Sequence, residues 1–157
     1  MNNLFIKISE KNTSLFVFVI YLLSLIPPFI CYFLPSGTDG YGSLFNLGLI
    51  PLGFILIFLS PVFETILFQT LPVYFTERRN LIGFARKFII IFPFSIVHIQ
   101  FSDLLSSLVN GIGGAYILGI CYLILSKISH KIAYLATAFV HALHNATIFL
   151  IFVNITR

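Results

Sequence analysis

Charge is what this chain has least of. Nine Lys and Arg and five Asp and Glu make up 9% of its 157 residues, against about a quarter in an ordinary soluble domain. With 59% hydrophobic residues and a mean hydropathy of +1.04, that scarcity excludes a water-soluble globular domain and leaves an integral membrane protein. Cysteine is nearly absent. Cys31 and Cys121 each lie in an apolar run and read as small buried hydrophobes, which excludes a disulfide framework and a cysteine metal knuckle. Tryptophan is missing altogether, so tyrosine must serve at the membrane interfaces. The net charge of +4 is not gathered into one patch, which argues against nucleic acid and for membrane lipids as partner. There is no internal repeat and no low-complexity tail.

What is present is a series of long apolar runs. Breaks fall at Pro35–Gly42, Glu77–Asn80, Gln100–Asp103 and Lys127–Lys131, where Gly, Pro, Ser or charge accumulate. They divide residues 1–157, a single integral membrane domain, into five expected helices over 13–35, 44–76, 83–102, 105–126 and 132–154. The first run, Leu15 to Leu34, follows Lys7 and Lys11 as a signal peptide would. It is longer than a signal core and no small-x-small cleavage site follows, so a retained helix bent at Pro27-Pro28 is expected, in a prokaryotic plasma membrane.

Segment 44–76 is long enough to be ambiguous. As one helix it would reach about 50 Å, against about 30 Å of bilayer hydrocarbon. It is either one tilted helix kinked at Pro61 or two helices joined there. Charge decides between them. With five spans and a cytoplasmic N-terminus, Lys7, Lys11, Arg78, Arg79, Arg86, Lys87, Lys127 and Lys131 all fall inside and only Arg157 outside. Splitting the segment moves most of these cations out, against the positive-inside rule. The expected fold is therefore an all-α, polytopic membrane helix bundle of about five transmembrane segments.

One carboxylate, Glu64, lies deep in such a span, in the run Ser60-Pro61-Val62-Phe63-Glu64-Thr65. A charge there costs about 2.5–3.5 kcal/mol even on the lenient insertion scale, so intramembrane ionisable residues mark function. His98 and His141 fall at the same depth in two other spans, roughly 15–18 Å from the inner surface at 1.5 Å per residue. Asn145 lies one turn beyond His141 on the same face. His144, about 100° round that helix, reads as packing or as a partner behind the site. His130, beside Lys131, reads as interfacial. Gly111, Gly113, Gly114 and Gly119 read as close helix contacts, since a phosphate loop would need a strand and a lysine. Arg78, Arg79, Arg86 and Lys87 read first as topology anchors.

Three patterns, Glu64-Thr65-x-x-Phe68-Gln69, Phe94-x-x-x-His98 and His141-x-x-x-Asn145, together resemble the CPBP family of intramembrane proteases. That family includes the CAAX prenyl endopeptidases, lysostaphin-resistance-type proteins and many bacterial self-immunity (Abi) proteins. The resemblance covers 58–152, the CPBP-like catalytic core. It implies an endopeptidase that cuts a peptide or membrane-protein substrate at or within the bilayer. Glu64 and His98 would activate a water, while His141 and Asn145 would stabilise the oxyanion. Thr65, Gln69 and Phe94 would support them. The family carries Glu and Arg where this chain has Thr65 and Gln69, neighbours at i, i+4 that can exchange the ion pair for a hydrogen bond. No cofactor is expected; the alternative is a zinc held by Glu64, His98 and His141, although no His-Glu-x-x-His pair is present. Two other functions fit these residues. One is an inactive immunity or binding protein of the same fold, and the other is a proton- or ion-coupled carrier.

Overall fold

A computed structural model describes residue 9 and residues 11–33, 48–99 and 103–155. The Pro35–Gly42 break, Gln100 to Ser102, Lys7 and Arg157 lie outside these residues. Within them the chain is helical throughout, with no strand among the described residues. Four helical stretches are long and apolar enough to cross a membrane: Thr13–Cys31, Leu49–Arg78, Leu104–Leu125 and His130–Ile151. The chain is an integral membrane protein on that ground. Large side chains such as Phe18, Phe29, Ile50 and Phe139 are more than half exposed, a surface that suits acyl chains and would aggregate in water.

The first stretch is two helices, α1 (Thr13–Ser24) and α2 (Ile26–Cys31). Pro27 and Pro28 have no N–H to continue the ladder, and the chain turns at Leu25, whose N–H bonds Leu22 O at 3.2 Å. The second stretch, α3 (Leu49–Arg78), is continuous through Pro61, so the described part of 44–76 is one helix and not a helical pair. It is not uniformly α. Two π turns, Ile55–Leu59 and Ile66–Thr70, flank the α segment that carries Glu64. Each widened turn holds the residue four before a proline, Ile57 before Pro61 and Phe68 before Pro72. There the proline ring would clash with the carbonyl of an α turn, and the added residue relieves the clash.

Helix α3 ends in a Schellman turn. Leu81 N–H bonds Thr76 O at 2.8 Å and Asn80 N–H bonds Glu77 O at 3.0 Å. Asn80, with φ of 51°, takes the left-handed position that ends such turns. Helix α4 runs only from Gly83 to Val97. Its 15 residues reach about 22 Å, short of the span expected from 83–102. It stops because the His98 ring takes the Phe94 carbonyl at 2.8 Å. The His98 N–H falls back on Ser95 O at 3.3 Å, a tightened last turn. Helices α5 (Leu104–Leu125) and α6 (His130–Ile155) match their expected limits within about two residues.

Helix α5 is the centre of the bundle. Ala115, Leu118, Cys121, Tyr122, Ile124 and Leu125 are buried in one cluster with Phe16, Ile90, Phe94 and Val140. It packs most extensively on α4, and also against α1, α2 and α6. Two of its glycines set the approach. A Cβ on Gly113 would lie 2.6 Å from Pro27 Cγ. One on Gly111 would lie 3.2 Å from Ser95 O and 3.3 Å from His98 Cβ. The second contact places the end of α4, and so His98, against α5.

Candidate active site

Three helices bring their polar groups to one carboxylate oxygen. Glu64 Oε2, on α3, lies 3.6 Å from His98 Nε2 at the end of α4 and 3.7 Å from His141 Nε2 on α6. Residue spacing puts these three side chains at one level, and the packing brings them to one point. Ser60, one turn before Glu64, donates its hydroxyl to the other oxygen, Oε1. Oε2 is buried and has no hydrogen-bond partner, since both imidazoles stand beyond hydrogen-bond reach.

The tautomer of His98 follows from its neighbours. Its Nδ1 meets the Phe94 carbonyl, which can only accept, so Nδ1 carries the proton. The neutral ring therefore turns the lone pair of Nε2 toward Glu64 Oε2. Two acceptors facing each other at this separation repel unless a donor stands between them. A water molecule is the smallest group that gives a proton to each.

Phe94 fixes the rings. It is stacked on His98 at 4.2 Å and 17°, and meets Phe68 edge-on at 5.6 Å and His141 at 5.8 Å. Its supporting place in the sequence pattern is thus a contact with both imidazoles. His98 is 38% exposed and His141 only 5%, so His98 fronts open space and His141 backs the site.

That space is a cavity of about 370 Å³ whose wall includes Glu64, His98, His141, His144 and Asn145. It extends toward Leu56 on α3 and Phe149 on α6, away from the basic end at Arg78, Arg79 and Lys131. Asp103, Ser106, Ser107 and Asn110, from the start of α5, line it as well.

Asn145, in the cavity wall, also makes a contact that its expected role does not include. Its side-chain amide donates to Leu56 O at 2.8 Å, and the reason lies in α3. The Ser60 N–H bonds Ile55 O, and Pro61 has no N–H, so the backbone leaves the Leu56 carbonyl without its donor. Asn145 supplies one from the neighbouring helix. Thr65 and Gln69 also depart from expectation. Both are fully buried, but Thr65 Oγ1 and both amide atoms of Gln69 have no hydrogen-bond partner. The compensating Thr65–Gln69 bond is not formed, because the π turn from Ile66 takes the two positions off the common face of an α-helix.

Sequence reasoning assigned no role to Ser60, Phe68 or Ser24. Ser60 was detectable, as an i, i+4 neighbour of Glu64. Ser24 gives its proton to Tyr21 O at 2.7 Å and so accepts from His144 Nδ1 at 3.3 Å. This contact spans 120 positions in sequence and no local pattern reports it. Among the described residues, no group of three or more His, Cys, Asp and Glu side chains is arranged to hold a metal ion. The zinc alternative has no such ligand group among the described residues.

No family model matches the chain, and no curated protein or solved structure does so.

Proposed function

We propose that the chain is a CPBP-like intramembrane endopeptidase that uses a glutamate-activated water and no cofactor. The observation that carries this reading is the unpartnered Glu64 Oε2, faced at 3.6 Å by an Nε2 whose lone pair is set by the Nδ1–Phe94 bond. A water between them would give one proton toward Glu64 and meet the His98 lone pair with the other, which raises its nucleophilicity. Ser60 holds the carboxylate in orientation. The substrate carbonyl would lie in the cavity, where unpaired backbone is tolerated because protein and water meet it. His141 Nε2 and the second amide hydrogen of Asn145 are the donors on hand for the oxyanion. The substrate class is a peptide or membrane protein presented from the bilayer. Five spans with a cytoplasmic N-terminus, in a prokaryotic plasma membrane, remain the topology that the cations favour.

Glu64→Gln tests the reading by comparing membrane-protein N-termini in cells that express either form. Fragments made by the wild type and lost in the variant support it. If the variant protects its host from a peptide toxin as well as the wild type does, the chain is a binding or immunity protein of this fold. A carrier is favoured by one observation, the polar wall from Asp103 to Asn110 on the cavity side of Glu64. Proton flux into proteoliposomes that is lost in Glu64→Gln, without any peptide cleavage, would establish it.

A further inference from the structure

Charge is divided unevenly along the bundle. Every described Lys and Arg lies at the end where α3 and α5 finish and α4 and α6 begin. The cavity at the other end is lined by none of them. Of the described carboxylates, Glu64, Glu77 and Asp103, its wall takes Glu64 and Asp103. A protein with a net charge of +4 thus has an acidic recess.

The fold makes no use of the Asp103 carboxylate. Asp103 is the N-cap residue of α5, a place where a carboxylate ordinarily accepts an N–H of the first turn, yet it makes no side-chain cap bond. Among the described residues it forms no ion pair. Only its backbone carbonyl is engaged there, by the Ser107 hydroxyl at 2.6 Å. The helix dipole places roughly half a positive charge at this N-terminus, less than the full negative charge of a carboxylate, so the first turn still favours a cation. Asp103 also stands at the start of a span, where a lysine or arginine reaches the interface and keeps its charge at little cost.

From Asp103 one face of α5 continues into the cavity as Ser107, Asn110 and Gly114, all in its wall and spaced to share that face. Asn110 is exposed, and its amide can both donate to and accept from a passing backbone. A Cβ on Gly111 would touch His98 Cβ, so α5 is level with the Glu64–His98 pair at that residue. From Asp103 to Gly111 is about 12 Å along the helix. One ion cannot bridge two carboxylates so far apart, but a short extended chain can. We propose that the cavity takes a cationic polypeptide segment. A Lys or Arg side chain of that segment pairs with Asp103 while the chain about three or four residues away lies at Glu64. Cleavage of the bond at Glu64 rests on the hydrolase reading; selection of a cationic segment does not.

Peptide binding to the full chain in phosphatidylcholine nanodiscs, which carry no net charge, tests this. A Glu64→Gln background prevents turnover and leaves Asp103 as the one carboxylate among the described residues of the wall. The probes are dye-labelled peptides of alanine and leucine, identical except for one central Lys, Gln or Glu. Fluorescence anisotropy reads their binding, with that to empty discs subtracted. The Lys peptide should bind at least about tenfold tighter than the Gln peptide, the scale of a hydrogen bond to a charged group, and the Glu peptide weakest. Asp103→Asn, which removes the charge but no cap bond, should abolish this ranking, and Asp103→Lys should reverse it. Should Asp103→Lys fail to fold in melting curves, Asp103→Asn decides alone. Equal affinity for the three peptides, or a ranking that survives Asp103→Asn, would overturn the proposal. A ranking set by Asp103, in a protein that yields no Glu64-dependent fragments in cells, keeps the cationic site and discards the protease. Glu64-dependent fragments with no basic residue near the cut keep the protease and overturn the cationic site.

Discussion

The Asn145–Leu56 contact makes the sharpest prediction, because its cause can be removed independently. Truncating Asn145 to Ala deletes the donor to Leu56 O, and neither Ser60 nor Pro61 replaces it. A lost hydrogen bond has a net value of about 1 kcal/mol, and a carbonyl left unpaired away from water costs about 1–3 kcal/mol. Measured interhelical bonds in membranes average about 0.6 and reach about 1.7 kcal/mol. We therefore expect Asn145→Ala to cost about 1–2 kcal/mol, roughly a 5–30-fold shift in the unfolding equilibrium. In a Pro61→Ala background the loss should shrink. If the π turn persists, the substituted alanine brings the missing N–H to Leu56 O; if it relaxes, Ser60 N–H does. Steric trapping or reversible denaturation in detergent, run as a double-mutant cycle, should return a coupling of about 1 kcal/mol. Additivity within about 0.3–0.5 kcal/mol, the value for independent sites, would refute the account of the orphaned carbonyl. The cycle also separates two roles for Asn145. If stability returns in the double variant while cleavage stays lost, the amide touches the reaction as well as the helix.

Glu64→Gln should leave the fold intact, since removing a buried charge relieves desolvation, and should lower peptide cleavage about 10²–10⁴-fold, the usual share of a general base. Gly111 should tolerate Ala poorly and Val not at all, with activity falling before stability, because the new Cβ meets Ser95 O and His98 Cβ; paired cleavage and melting curves check this. Gly113→Ala, whose Cβ would lie 2.6 Å from Pro27, should cost about 1–3 kcal/mol as overpacking, with little effect on any activity that survives, as read by denaturation in detergent.

Much of this could be read from residue order, for identifiable reasons. Apolar runs broken by charged or glycine-rich turns fixed the helices 105–126 and 132–154 to within about two residues, because lipid imposes one period on the whole surface. Glu64, His98 and His141 stand out in the sequence because an ionisable group in such a run has so few bland explanations. The shortfall of 83–102 was not visible. It arises from the His98 ring competing for the Phe94 carbonyl, a choice made by one side chain and not by periodicity. The Thr65–Gln69 bond failed for a related reason: i, i+4 reasoning assumes an unbroken α ladder. The signal was nonetheless present, since each π turn is followed two residues later by a proline, Pro61 or Pro72. His144 on Ser24 and Asn145 on Leu56 join segments about a hundred residues apart, and only the packed chain can place them.

The two π turns make α3 a helix whose ends are out of phase. Each inserts one residue, and a residue is worth about 100° of rotation, so the faces before Ile55 and after Thr70 are offset by about 200° from those of an unbroken α-helix. Glu64 sits between the two offsets, at the one phase that meets His98 and His141. Loss of a single residue anywhere in Ile55–Leu59 would keep the helix, its apolar surface and every polar side chain of the site. It would also turn the carboxylate about 100° relative to the chain before it. In this helix, residue count before the glutamate sets the aim of the glutamate as firmly as residue identity does.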